Sequence, residues 1–132
     1  MVEQRVIDTL REVFELNGFI GIETRAVEQG SSLLKKGETS KEIYLLSRLQ
    51  EVGDDSDIPV EQRLGLHFDL TVPLSRYVVE HSGALSFPLK RWQIQKVWRG
   101  ERPQEGRFRE FVQADIDVVG DGTLPSHYEV EL

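Results

Sequence analysis

The sequence predicts an α+β fold in which a mostly antiparallel sheet is flanked by helices. Three observations lead to this prediction. Apolar residues recur at helical spacing near the N-terminus, two long runs nearer the C-terminus alternate with the period of a strand, and successive strands are separated mainly by turns. Strands that follow one another through turns pair antiparallel, because parallel pairing needs long crossover connections.

The first third of the chain is predicted to begin with a helix over residues 2–16. An Asn-Gly pair at 17–18 supplies its stop, because glycine accepts the left-handed conformation that ends many helices. Residues 19–27 alternate and predict a strand or extended segment. Residues 28–41 are polar and contain glycine, so they predict a loop, and residues 42–46 (EIYLL) predict a short strand.

The middle of the chain is predicted to contain a loop, a strand and a second helix. Residues 47–63 are acidic and predict a solvated loop, and residues 64–70 alternate as a strand. One face of that strand carries Gly65, His67 and Asp69. Thr71 is a natural N-cap for a helix over residues 71–81, and Pro73 suits its first turn.

Residues 92–118 predict a long antiparallel hairpin, in which two alternating runs are joined by the turn-forming segment GERPQEG. Successive side chains of a strand point to opposite faces, so the apolar residues share one face and the polar residues the other. We expect the apolar face to pack on a core, and Gly100 beside Arg99 to let a ligand approach the backbone. The polar face presents Arg99, Arg107, Gln113 and Asp117.

The charge of the chain is unevenly distributed. Its net charge is −7, yet residues 89–109 contain seven basic and two acidic side chains. A globally acidic surface argues against a general nucleic-acid binder, whereas a local positive island suits a small anionic ligand such as a nucleotide, or an RNA end. The arginine fork favours phosphate and carboxylate oxygens. On composition alone, a charged face that is merely solvated explains the hairpin equally well.

Composition restricts the remaining possibilities. A chain of 132 residues has room for one domain with a modest core, so residues 1–132 are interpreted as one domain. Without cysteine, disulfides and thiolate metal sites are excluded, and three scattered histidines do not predict a zinc site, so no metal site is predicted. No apolar run approaches the ~20 residues that span a membrane. We therefore expect a cytoplasmic protein without membrane association.

Four segments resemble a known family. Residues 99–111 (RGERPQEGRFREF), followed by Q-x-D-x-D, resemble motif 2 of the class II aminoacyl-tRNA synthetases in the form found in histidyl-tRNA synthetase. Residues 65–78 (GLHFDLTVPLSRYV) resemble its first histidine-recognition segment. Residues 18–28 (GFIGIETRAVE) resemble its motif 1, and residues 33–46 (LLKKGETSKEIYLL) the segment between. The segments follow the family's order over nearly the whole chain, which makes the resemblance specific.

The resemblance implies a partial class II synthetase catalytic core and a reaction. Histidyl-tRNA synthetases join L-histidine to ATP as histidyl-adenylate and pass the aminoacyl group to tRNA(His). Because the histidine carboxylate attacks the α-phosphate, two anions meet, and the site needs fixed positive charge there and acceptors for the ammonium group. Mg²⁺ is implied by the ATP chemistry, and a homodimer is implied for the full-length protein.

The resemblance also implies roles for single residues. Arg99 matches the motif 2 arginine, which would bridge the α-phosphate and the histidine carboxylate, and is the candidate catalytic residue. The expected ATP site contains Arg99, Glu101, Arg107 and Phe111. The expected histidine pocket contains Asp69, Leu70, Thr71, Arg99, Gln113 and Asp117. Glu101 would orient the adenine amino group and Phe111 would stack on the adenine, whereas Asp69 and Asp117 would hold the α-ammonium group. The structural alternatives are a helix cap for a carboxylate and a neighbour-covering aromatic for Phe111.

Two departures accompany the resemblance. Arg25 occupies the position where motif 1 normally has proline. The chain ends just after motif 2, so we expect an incomplete catalytic domain, without motif 3 and the anticodon-binding domain, that is inactive by itself. A non-catalytic, histidine-sensing regulatory subunit of ATP phosphoribosyltransferase is the alternative, and a plain nucleotide-binding or structural domain is a third. The intact motif 2 and HFDLT segments favour the ligase, since the regulatory paralogue need not keep ATP-handling residues.

Overall fold

The computed structural model describes residues 1–34, 41–49, 57–102, 105–106 and 108–123. Within them the chain forms helices, a 3₁₀ turn at Val60–Gln62 and two three-stranded sheets. The elements in chain order are α1 (Val2–Leu16), β1 (Ile20–Gly21), β2 (Val27–Gln29), α2 (Gly30–Leu33), β3 (Leu45–Leu46), β4 (Leu64–Leu66), α3 (Thr71–His81), β5 (Leu89–Trp98) and β6 (Glu110–Val119). No helix in these described ranges is long and apolar enough to cross a membrane.

The two sheets have the strand orders β1-β5-β6 and β2-β4-β3. The short β1 pairs parallel with β5, whereas the other pairs are antiparallel. The prediction of a mostly antiparallel sheet with helices is therefore confirmed.

The long hairpin and the first helix are confirmed. Ten residue pairs join β5 to β6, from Leu89↔Val119 to Trp98↔Glu110. Helix α1 ends where predicted, and Gly18 takes a φ of 80° just after it. That conformation suits glycine, which has no Cβ to clash.

A small apolar core lies between α3 and the end of the hairpin. Ile22, Leu74 and Leu89 are buried at its centre. Partly buried apolar side chains from α3, the connection after it and β6 complete it: Tyr77, Val78, Leu85, Phe87 and Val119.

The core covers the hairpin face that the sequence pattern marks as polar, which contradicts the expectation for its two faces. Arg91 and Gln93 have no exposed surface, whereas Ile116 on the apolar face is 42% exposed. The alternation sorts side chains onto faces correctly, but the 22–26 segment and the turn after β4 cover the polar face. Most of its polar groups bond to one another or to that covering backbone, whereas Arg91 Nε is buried without a hydrogen-bond partner among the described residues.

The prediction of a strand or extended segment over residues 19–27 is realised as strand only in part. Only its ends are strands, and the connection between them is held by side-chain amides of β5. The Thr24 N–H donates to Gln95 Oε1 at 3.0 Å, and Gln95 Nε2 donates to the Thr24 carbonyl at 3.0 Å. A side-chain amide thus takes the place of a neighbouring strand. The loop predicted for residues 28–41 begins instead with the end of β2 and with α2.

The strand predicted for residues 64–70 ends at Leu66 because the next residue joins the two sheets. The His67 N–H donates to the Ala26 carbonyl at 2.8 Å, and the His67 carbonyl accepts from the Trp98 N–H at 3.2 Å. The buried His67 ring donates from Nε2 to the Lys96 carbonyl at 2.6 Å.

Helix α3 begins at Thr71, but the predicted N-cap is wrong. Asp69 Oδ1 accepts from the N–H groups of Thr71 and Val72, at 3.1 and 3.3 Å. The carboxylate two residues before the helix therefore satisfies its first donors, as short polar side chains commonly do. Pro73 lies in the first turn, as expected.

Candidate functional site

Arg99 is the centre of the candidate site. Its guanidinium carbon lies 4.5 Å from the ring centre of Phe68 and 5.0 Å from that of Phe111. Its Nε donates to the Phe68 carbonyl at 3.2 Å, and one terminal nitrogen donates to Gln113 Oε1 at 3.1 Å. Two rings, a carbonyl and an amide therefore fix one cation.

The hairpin register brings these groups together. Val97 pairs with Phe111 and Gln95 with Gln113, so both β6 side chains lie on the face that Arg99 continues beyond β5. The Arg99 N–H donates to the Arg109 carbonyl at 2.9 Å, which extends the pairing of β5 and β6 by one more backbone hydrogen bond. The site is thus built from one end of the hairpin and from the turn that carries Phe68.

Gly100 contacts a distant part of the backbone. Its N–H donates to the Glu42 carbonyl at 2.7 Å, and a Cβ at this position would lie 3.1 Å from the same oxygen. The glycine therefore permits close approach of the protein's own backbone, from the segment before β3.

A chain of polar contacts runs from Arg99 along β6. Gln113 accepts from Arg99 and donates from Nε2 to Asp115 Oδ2 at 2.9 Å. Asp115 lies 4.0 Å from a terminal nitrogen of Arg91, and the same nitrogen forms an ion pair with Asp117. Arg99 and Gln113 are therefore in direct contact, as predicted, whereas Asp117 joins them through Arg91.

Arg91 is a buried cation between two partly exposed carboxylates. Its side chain has no exposed surface, whereas those of Asp115 and Asp117 are 25% and 45% exposed. Burial lowers the pKa of Arg91, and the charges of Asp117 and Asp115 act in the opposite direction. A second donor nitrogen of Arg91 contacts Gln93 Oε1 at 3.2 Å.

The predicted residues Asp69, Leu70 and Thr71 directly follow Phe68, the residue of this turn that contacts Arg99. Phe68 contacts the guanidinium directly, and Asp69 follows it, 7% exposed and capping α3. Leu70 is fully buried, and Thr71 is exposed at the first turn of the helix. The helix cap anticipated as an alternative for a carboxylate is therefore present at Asp69.

The loop between β5 and β6 is described in part. Glu101 is half-buried, and its carbonyl accepts from Arg109 Nε at 3.4 Å. Arg107 lies outside the described residues.

Phe68 and Arg91 are site residues that the sequence reasoning missed. Arg91 could have been found by continuing the alternation back by one step from Gln93, which places it opposite Asp117. Phe68 carries no comparable signal, since its pattern only marks it as one more apolar residue of a strand. Among the described residues, no group of three His, Asp or Glu side chains could hold a metal ion.

Comparison with known proteins supports the resemblance noted above. No family model matches the chain. A histidine–tRNA ligase of Bifidobacterium animalis subsp. lactis is 96% identical over 132 residues, which is all of this chain and 28% of that protein. Over its whole length, this chain is similar to histidine–tRNA ligase. It spans a little under a third of the length of such relatives.

Solved structures agree. A histidyl-tRNA synthetase from Nostoc sp. PCC 7120 superposes with a TM-score of 0.77 at 40% identity, covering 98% of this chain and 28% of that one. An ATP phosphoribosyltransferase regulatory subunit/histidyl-tRNA synthetase from Bacillus halodurans C gives 0.70 at 24% identity, covering 91% and 28%. The fold is that of a class II aminoacyl-tRNA synthetase catalytic domain, as predicted. The regulatory-subunit alternative is weaker, because that likeness extends to the fold alone.

Proposed function

We propose that this chain is the part of a histidine–tRNA ligase that carries motifs 1 and 2 of an incomplete catalytic domain. The observation that carries the proposal is the convergence on Arg99 of two resembling segments, through Phe68 and through Gln113. The full-length protein would activate L-histidine with ATP to histidyl-adenylate and transfer it to tRNA(His). The near-identity to a relative of that name supports this function.

Arg99 would act by holding positive charge where two anions meet. A guanidinium has five N–H donors, and the contacts with the Phe68 carbonyl and Gln113 use two of them. Its remaining donors suit the oxygens of the histidine carboxylate and of the α-phosphate. Because its neighbours already fix the guanidinium, little reorganisation would be needed as the carboxylate attacks. Preorganised charge of this kind stabilises a transition state.

The other proposed roles surround this charge. Gln113, Asp117, Asp69, Leu70 and Thr71 would line the histidine pocket, and Glu101, Arg107 and Phe111 would contact ATP. Arg99 covers one face of the Phe111 ring, and an adenine would stack on the other. Mg²⁺ would reach the site with the ATP phosphates, since the described residues offer it no ligand cluster. We also propose a cytoplasmic homodimer without membrane association for the full-length protein.

Arg99→Ala in the full-length protein tests this proposal. Histidine-dependent ATP–pyrophosphate exchange should become undetectable, whereas circular dichroism should show an unchanged fold, because Arg99 is a surface-reachable cation rather than a core residue. The control is Arg5→Ala, which removes the same charge from an exposed position on α1 and should leave exchange intact. Near-normal exchange by Arg99→Ala would refute the assigned role. Histidine binding by the unaltered protein without any exchange would favour the regulatory subunit instead.

A further inference from the structure

The Arg91–Asp115–Asp117 cluster has no assigned role, although it lies on the same hairpin face as Arg99 and Gln113. The register sets Arg91 opposite Asp117, Gln93 opposite Asp115 and Gln95 opposite Gln113. Asp115 accepts a hydrogen bond from the Gln113 side-chain amide, and Arg91 forms an ion pair with Asp117. Gln113 and Asp117, two of the polar residues proposed for the histidine pocket, are thus each held by a member of this cluster.

In this cluster the cation is buried, whereas the two carboxylates in contact with it are partly exposed. Arg91 is completely enclosed, whereas Asp115 and Asp117 keep 25% and 45% of their side-chain surface exposed. A ligand can therefore reach the carboxylates but not the guanidinium. One cation and two anions leave one net negative charge at this surface, which complements a primary ammonium group.

We propose that Arg91 and Asp115 are positioning residues for ammonium recognition in the histidine pocket. Arg91 fixes the Asp117 carboxylate from beneath, Asp115 fixes the Gln113 amide, and the cluster keeps a single negative charge for the substrate's α-ammonium group. This inference rests on the proposed ligase function. It assigns the amino end of the substrate to this cluster and the carboxylate end to Arg99.

Two substrate analogues distinguish recognition of the amino end from recognition of the carboxylate end. Histidinol keeps the ammonium group and lacks the carboxylate, whereas imidazolepropionate keeps the carboxylate and lacks the ammonium group. Both would be measured as inhibitors of histidine-dependent ATP–pyrophosphate exchange by the full-length protein. If the ion pair only stabilised the hairpin, its loss would change the inhibition constants of both analogues equally.

Asp115→Asn keeps an acceptor for Gln113 and removes one charge. We expect it to raise the KM for histidine and the inhibition constant of histidinol by about tenfold, the scale of one charged contact. The KM for ATP and the inhibition constant of imidazolepropionate should stay within twofold. The control is Glu110→Gln, which removes one carboxylate from the opposite face of β6 and should change none of the four constants.

Arg91→Met leaves two carboxylates together without their cation. Like charges repel and favour protonation of one carboxylate, so the acidic limb of the histidine KM profile should move to higher pH, and Arg91→Lys should restore it. Where Arg91→Met fails to fold, Arg91→Lys and Asp115→Asn carry the test.

Equal shifts for both analogues, equal shifts for histidine and ATP, or an unmoved profile would overturn the inference. Absence of exchange in the unaltered protein would instead overturn the proposed function on which it rests. The two failures are therefore distinguishable.

Discussion

Arg76→Met should loosen the contact between β2 and α3, because it leaves the buried Glu28 carboxylate without its cation. Glu28 is 3% exposed and accepts three hydrogen bonds from the Arg76 guanidinium, at 3.0, 3.1 and 2.7 Å. The hydrogen bond with Glu28 is also the main reason that the pKa of Arg76 is raised. Removing one partner of such a pair costs about 3–5 kcal/mol, since an uncompensated charge stays buried.

Hydrogen exchange of the full-length protein, resolved to peptides that cover β2 and α3, measures this cost locally. The expected loss corresponds to a fall in protection of about a hundredfold or more. Glu80→Gln is the matched control: Glu80 binds the same guanidinium at 2.9 Å but is 47% exposed, so we expect about 0.5 kcal/mol or less. Glu28→Gln combined with Arg76→Met should restore part of the protection, because no charge is then left buried. Equal losses for Arg76→Met and Glu80→Gln would refute the reasoning.

Three shorter predictions concern other parts of the chain. Gly65→Ala should lower the thermal midpoint measured by calorimetry, because its Cβ would lie 2.8 Å from a backbone oxygen of the segment before β3. Hydrogen bonds from a lysine and a tryptophan of β5 lower the pKa of Glu110 from 4.5, so its stabilisation is present above that pH and is lost below it. The thermal midpoints of Glu110→Gln and the unaltered protein should accordingly converge as the pH falls from 4.5 through the lowered pKa of Glu110. Phe111→Leu should slow ATP–pyrophosphate exchange more than Phe108→Leu, since Arg99 rests on Phe111 and Phe108 is 72% exposed; equal rates would contradict this.

Long periodic segments were predictable. Helix α1 and the β5–β6 hairpin each repeat their pattern over ten residues or more, so few other structures accommodate them. The same alternation correctly placed Arg99 and Gln113 on one face. It could not say which face the rest of the chain would cover, and the polar face is the one that is covered.

Segments held by distant side chains were not predictable. The connection around Thr24 is irregular because Gln95, 71 residues away, bonds to its backbone. Asp69 replaces Thr71 as the cap because the chain bends at that point to meet β5. In both places a contact made in three dimensions overrides the local propensity.

The hydrogen bonds of His67 link segments that are distant in the sequence, so mutations in those segments should not act independently. Its backbone is bonded to Ala26, just before β2, and to Trp98 at the end of β5, and its ring to Lys96. Phe68, which contacts the Arg99 guanidinium, is the next residue. A conservative exchange in β2 or β4 should therefore shift Phe68 and Arg99 without altering either residue, and its effect should depend on which residues occupy β5. Such variants should show epistasis with substitutions in β5, which lies well after both β2 and β4 in the sequence.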